Sequence, residues 1–292
     1  MDDETTHTIG VTGATGAVGG RVAARLARAG IGPRLVVRDL NRAPELPGST
    51  AAMATYTERV NFERAVRGVD SLFLVSATEG EHRIEEHLSA VDAAVAAGVE
   101  RIVYLSFLNA APVATFTFAR DHFFTEAHIR ATGIRYTFLR PSLYLDLVPH
   151  FADTDGVIRG PAGQGRIAWV ARDDVADSVV AVLAGGSVHD EQTYNITGPE
   201  ALTLDETVAR LSIVTGARLS YVPQTWREAL ESRLAIGAPR WQVEGWASSY
   251  AAIAAGELPD VSPAVADLTG HPAQSIEGFL RRHPSALAHI AG

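Results

Sequence analysis

The chain has 292 residues, 47% of them hydrophobic and 20% charged, with a formal net charge of −9. That is the composition of a folded globular chain, long enough for one large domain or two lobes. The acidic balance argues against direct nucleic-acid binding, which needs a basic patch.

The first apolar stretch ends in Gly13, Gly16 and Gly19, and a helical pattern follows to Gly30. Arg34–Arg38 is a second short β-rich run, and Asp39–Arg42 reads as a loop. A weaker strand is expected over Ala51–Tyr56, and a short helix over Phe62–Gly68, ended by its glycine. Ser71–Ser76 is continuously apolar at its centre, as in a strand covered on both faces. Arg83–Ala97 is expected to be a helix with Ile84, Leu88, Val91 and Val95 on its buried face. A strand over Arg101–Ser106, a helix over Phe118–Thr132 and a strand over Tyr136–Arg140 follow, the last stopped by Pro141. This alternation predicts an α/β, Rossmann-type doubly wound parallel sheet.

Beyond Pro141 the pattern loosens. Gly156–Gly165 is glycine-rich, and helices are expected over Asp173–Leu183, Thr203–Thr215 and Trp226–Leu234, with a strand over Thr193–Thr197. The division read from this is a nucleotide-binding domain over 1–150 and a smaller C-terminal lobe over 151–292, interleaved with late strands of the main sheet. No apolar run approaches the ~20 residues of a membrane helix. The acidic Met1–Glu4 does not read as a signal peptide and is expected to be a frayed tail. A cytoplasmic protein without membrane attachment, monomeric or homodimeric, is the expectation.

Absent residues narrow the chemistry. The sequence has no cysteine and no lysine, so all 25 basic residues are arginine. Disulfides, thiolate metal sites, cysteine nucleophiles, Schiff-base lysines and a P-loop lysine are excluded. No His/Asp/Glu spacing suggests a metal site, and there is no Gly-x-Ser-x-Gly elbow.

The glycine loop carries the positive signal. Between a first strand and a first helix, Gly13-Ala-Thr-Gly16-Ala-Val-Gly19 lets backbone N–H groups approach a pyrophosphate at the positive end of the helix. A dinucleotide is therefore expected. Nineteen residues past Gly19, at the end of the second strand, stands Arg38, followed by Asp39. Arg38 favours NADP(H), whose 2′-phosphate it would pair with. Asp39 leaves NAD(H) open.

The chain resembles the NmrA-like atypical short-chain dehydrogenase/reductases, and most of all the type-2 NAD(P)H:quinone oxidoreductases. The likeness rests on Val11-Thr-Gly-Ala-Thr-Gly16, Val37-Arg38, Gly68-Val-Asp70, Glu86-His87, Ile102-Val-Tyr-Leu-Ser106, His122 with Thr125-Glu126, Thr137-Phe-Leu-Arg-Pro141 with Tyr144, Gly160–Gly165, Asp174-Val-Ala176 and Tyr194–Gly198. It implies that Gly13, Ala14, Thr15, Gly16, Ala17 and Val18 hold the pyrophosphate and Arg38 the 2′-phosphate. Val75, Ser76 and Ala77 would line the adenosine-side ribose, and Ser106, Phe107 and Leu108 would approach the nicotinamide ribose. Pro141, Ser142, Leu143 and Tyr144 would approach the nicotinamide ring.

Typical short-chain dehydrogenases reduce carbonyls with a Tyr-x-x-x-Lys pair. Here the corresponding positions are Phe118 and His122. The quinone-reductase-like relatives also lack that pair, and a quinone accepts hydride with little acid help. The expected activity is hydride transfer from NAD(P)H to a quinone or a similar electron-poor aromatic. The resemblance also admits a non-catalytic redox sensor, or a reductase or redox partner in aromatic polyketide biosynthesis. His122 is the candidate proton donor or ribose contact; a helix histidine bound to backbone or exposed is the alternative. Phe118 and Tyr144, with Phe116, Phe123 and Phe124, would wall a flat apolar pocket or form ordinary core. Trp226, Trp241 and Trp246 read as packing anchors more than as a lid.

Overall fold

The structure is a computed structural model that describes residues 7–284; the acidic Met1–Glu4 segment lies outside the described residues. In chain order the elements are β1 (Ile9–Thr12), α1 (Ala17–Arg28), β2 (Arg34–Val37), β3 (Thr50–Met53), α2 (Arg59–Val66), β4 (Ser71–Val75), α3 (Arg83–Ala96), β5 (Arg101–Leu105), α4 (Thr117–Ala131) and β6 (Arg135–Pro141). They continue as α5 (Val148–Phe151), β7 (Val157–Gly160), α6 (Arg172–Gly185), β8 (Gln192–Ile196), α7 (Leu204–Thr215), β9 (Ser220–Pro223), α8 (Trp226–Leu234), α9 (Arg240–Ala254), α10 (Ala264–Thr269) and α11 (Ile276–Arg282).

Seven strands form one sheet in the order β3-β2-β1-β4-β5-β6-β8. Neighbours from β3 through β6 pair in parallel. The chain winds outward from β1 to β3, returns, and winds the other way from β4 to β6. The reversal lies between β1 and β4, where open α/β sheets take ligands outside the carboxyl ends of the strands. Leu72, Phe73 and Leu74 of β4 and Ile102, Val103 and Tyr104 of β5 are fully buried, which is why these runs carry no polar alternation.

The chain divides into two compact units. The first holds the residues up to Ser106, Asp121–Arg140 and Val175–Tyr194; the second holds Phe107–Arg120, Pro141–Asp174 and the residues from Asn195 on. Both are discontinuous. Each unit has its own apolar core. In the first, Val36, Phe62, Leu72, Ile102, Ile129 and Phe138 are among the residues that pack together. In the second, Phe107, Trp169, Leu204, Tyr250 and Phe279 do so.

Three local differences from the sequence reading have physical causes. The buried stripe of α3 runs through Arg83, His87, Ala90, Val91 and Ala94, and Val95 is exposed. The helix is rotated about one residue from the apolar stripe because two polar side chains at its start are buried in hydrogen bonds. The glycine-rich stretch contains β7, paired in parallel with β9 as a second sheet. A Cβ at Gly160 would lie 2.3 Å from the Tyr250 ring, and one at Gly165 would lie 2.0 Å from the Ile253 carbonyl. Those glycines let α9 approach closely. Helix α9 itself carries Gly245 at its middle, a weak helix former. There a Cβ would lie 2.3 Å from the Phe118 ring, so the glycine makes room for that phenyl group.

Candidate functional site

In the first unit the turn after β1 is built as an anion cradle. Gly13 has φ +61°, which favours glycine, and Gly16 N–H donates to its carbonyl at 2.8 Å. A Cβ at Gly19 would lie 2.3 Å from the same carbonyl, so only glycine lets α1 sit this close to the strand end. Gly16 caps α1 without a side chain, and no acid stands in the first turn. Helices α7 and α8, by contrast, begin with complete capping boxes, Thr203 with Glu206 and Thr225 with Glu228. The first amides of α1 thus keep their donors and the helix dipole for an anion. Thr15, Gly16 and Ala17 are exposed, while Ala14 and Val18 are buried anchors. These residues fit a pyrophosphate.

The cradle is braced from beneath. Thr12 Oγ1 donates to the Phe73 carbonyl (3.1 Å) and accepts the Val75 N–H (2.8 Å). The Tyr56 hydroxyl lies 2.7 Å from Thr12 Oγ1 and 2.5 Å from the Val75 carbonyl. Burial pushes the Tyr56 phenol well above its ordinary range, so it stays a neutral donor.

Arg38 and Asp39 follow β2 and are exposed. Asp39 is engaged: its side chain accepts the Asn41 N–H at 3.0 Å and caps the 3₁₀ turn Leu40–Arg42. Arg38 makes no ion pair among the described residues.

Val75, Ser76 and Ala77 lead out of β4, and the Ala77 peptide is held from both sides. Its N–H donates to His87 Nε2 at 2.8 Å, and its carbonyl accepts from Arg83 Nε at 2.9 Å. With Nε2 accepting, the His87 proton sits on Nδ1, 2.8 Å from Thr125 Oγ1. Arg83 is only 6% exposed and also meets Asp121 Oδ2 (3.2 Å) and His122 Nε2 (3.2 Å). Because a guanidinium only donates, His122 carries its proton on Nδ1 and directs it to Tyr104 Oη at 2.9 Å. Burial, then the Arg83 charge, pushes His87 down to about 3. Burial, then the charges of Arg83, His87 and Arg140, holds His122 well below the usual histidine range. Both rings are neutral near pH 7, and both His122 nitrogens are occupied.

Ser106 follows β5, where Oγ donates to Glu126 Oε1 at 2.6 Å. Glu126 is fully buried and also accepts from Arg140 Nε (2.8 Å) and Nη2 (2.5 Å).

The other predicted positions lie in the second unit. Phe107 and Leu108 are buried, and Leu108 N–H donates to the Pro141 carbonyl at 2.9 Å. Ser142 is 1% exposed; its N–H donates to the Ile196 carbonyl at 3.0 Å, and its hydroxyl has no partner among the described residues. Leu143 and Leu145 exchange backbone hydrogen bonds with Val170, which fixes Tyr144 between them. Phe118 joins an edge-on chain of rings, with Phe116 at 5.6 Å and Trp241 at 6.2 Å between centroids, and Phe107 at 4.9 Å from Phe116. Phe123 and Phe124 pair with each other in the first unit, 5.5 Å between ring centroids.

Sequence reasoning did not single out Arg83, Tyr104 or Arg172. The available signal for Arg83 was its place four residues before His87 at the start of a helix. Tyr104 stood inside an apolar strand with no visible partner.

The family model described as NAD(P)H-binding matches residues 13–185. The chain is 35% identical, over 95% of its length and 98% of the relative's, to a (4-alkanoyl-5-oxo-2,5-dihydrofuran-3-yl)methyl phosphate reductase of Streptomyces griseus. It is 29% identical, over 95% and 98%, to an NAD(P)H azoreductase of Xenophilus azovorans. The crystal structure of an NADPH-dependent quinone oxidoreductase from Escherichia coli in complex with NADPH superposes with a TM-score of 0.85 at 29% identity, covering 94% of this chain and 99% of that one. The chain belongs to the NAD(P)H-binding family, and the relatives it matches over nearly its full length include NAD(P)H-dependent reductases of the azo and quinone type. Among the described residues no helix is long and apolar enough to cross a membrane.

Proposed function

We propose that this protein reduces an electron-poor conjugated acceptor, a quinone or an aromatic of similar electron demand, with NADPH preferred over NADH. The observation that carries the reading is the combination at α4: the Tyr-x-x-x-Lys positions hold Phe118 and His122, and His122 is neutral with both ring nitrogens occupied. No side chain there can deliver a proton to a poorly electrophilic carbonyl, so the acceptor must itself be prone to take hydride. The named substrates of the relatives fit this chemistry: a conjugated furanone, an azo compound and a quinone each hold an electron-poor π-system.

Bound reduced nicotinamide supplies the hydride. Gly13–Val18 would hold the pyrophosphate, Val75–Ala77 and Ser106–Leu108 the riboses, and Pro141–Tyr144 the nicotinamide ring. In this reading His122 does not act as an acid; it fixes Arg83, which fixes the Ala77 carbonyl. The test is oxidation of NADPH with a panel of benzoquinones, naphthoquinones, azo dyes and simple ketones. Turnover is expected with the first three classes and not with the ketones. Turnover confined to ketones would overturn the reading.

Cofactor choice rests on Arg38, whose guanidinium makes no ion pair among the described residues while the neighbouring acid is used as a cap. Arg38→Ala should weaken NADPH binding by about 1.5–3 kcal/mol, the range for a hydrogen bond to a charged group, and leave NADH binding unchanged. Calorimetry with both cofactors measures this, and equal losses for both would assign Arg38 no part in selection. A cytoplasmic location agrees with the absence of cysteine.

A further inference from the structure

The missing Tyr and Lys leave open what supports negative charge on the acceptor. In the second unit Arg172, the first residue of α6, lays its guanidinium over the Tyr144 ring, 4.9 Å from the centroid. Its backbone N–H donates to Asp146 Oδ2 at 2.9 Å, which pins the residue beside the Pro141–Tyr144 segment. The side chain is half-buried, and its Nε is shielded from water without a hydrogen-bond partner among the described residues. Arg166, Arg210 and Arg240 in the same unit each meet a glutamate carboxylate. Arg172 meets none among the described residues. A guanidinium that has lost part of its water shell without gaining an anion carries an uncompensated desolvation cost. An oxyanion arriving beside it would relieve that cost.

We propose that Arg172 is a catalytic residue that binds the carbonyl oxygen of the acceptor and stabilises the oxyanion formed there, the work a Tyr/Lys pair does in other short-chain reductases. This rests on the reading that Pro141–Tyr144 approach the nicotinamide. When the acceptor carbon takes up the hydride, the π electron pair moves onto oxygen. The oxyanion is held by the guanidinium and then takes a proton from water, giving the reduced acceptor and oxidised cofactor. Preorganised charge at a developing oxyanion lowers the barrier without a proton transfer.

The test has two readouts. Arg172→Met should lower kcat about a hundredfold, the cost of removing one oxyanion donor, with the NADPH Kd unchanged. The loss should be larger for a naphthoquinone than for a more readily reduced benzoquinone. Arg172→Lys should restore part of the rate. Independently of turnover, 4-nitrophenol added to the protein with NADP⁺ should ionise at lower pH than in buffer, read from its phenolate absorbance, and this shift should vanish in Arg172→Met. Equal loss with every quinone, or an unchanged nitrophenol titration in the variant, would overturn the proposal. If the wild type reduces no quinone, the titration alone still decides whether Arg172 holds an oxyanion.

Discussion

Replacing Glu126 with Ala is expected to lower stability by about 3–5 kcal/mol, the range for breaking a buried ion pair by removing one partner. Its carboxylate is fully buried and accepts four hydrogen bonds, from Ser106, from Arg140 twice and from Arg130 at 3.4 Å. Without it the Arg140 guanidinium, 21% exposed, is left largely out of water and unpaired on this side. At roughly 2–4 °C per kcal/mol for a chain of this size, the melting temperature should fall by roughly 6–20 °C. Removing both partners is gentler than removing one, so Glu126→Leu combined with Arg140→Leu should recover much of the loss. Thermal unfolding of the two single variants and the double variant measures the coupling. Additive losses would show that the carboxylate and Arg140 do not act as a pair.

Acidification between pH 6.5 and 5 should destabilise the protein by about 1.5 kcal/mol through His87, with His122 adding to the loss in the same direction. Both are neutral in the fold, held down by burial and by Arg83. In the unfolded chain each protonates below its ordinary value near 6.5. The unfolded state therefore binds more protons across this window, and stability falls as pH falls. For His87 the loss continues until its folded value of about 3 is reached. The double variant His87→Gln/His122→Gln keeps hydrogen-bonding groups but cannot titrate at these positions, so its unfolding free energy should fall much less steeply over the same window. Denaturant melts at half-unit pH steps give both slopes. An equal slope in the double variant would place the titration elsewhere, on His189 for example, whose burial also lowers it.

Much of the first unit was legible because its signals are local. Strand β4 reads as apolar throughout because both its faces are covered, and the glycine spacing after β1 needs nothing beyond backbone sterics. The second unit was harder. Helix α9 hides behind Gly245, whose reason is a phenyl ring 127 residues earlier in the chain at Phe118. Strand β7 has four residues, and its partner β9 lies about sixty residues on. The polar networks were invisible for the same reason: Arg83 and His122 are 39 residues apart, and Ser106 and Glu126 are 20 apart. A sequence shows that a polar residue is present; only the fold shows whether its partner makes burial tolerable. His122 illustrates the difference. By residue type it is a proton donor at neutral pH, while in the fold its environment keeps it neutral and engaged.

In the proposed reaction hydride passes to an acceptor that needs no side-chain acid. Single-turnover oxidation of bound NADPH by a naphthoquinone, with and without deuterium at C4, tests it most directly. Rapid loss of the reduced-nicotinamide absorbance is expected, slowed several-fold by the label and unchanged when His122 is replaced by Gln. Tight NADPH binding with no oxidation by any quinone or azo acceptor would contradict it and identify a protein that holds its cofactor without using it.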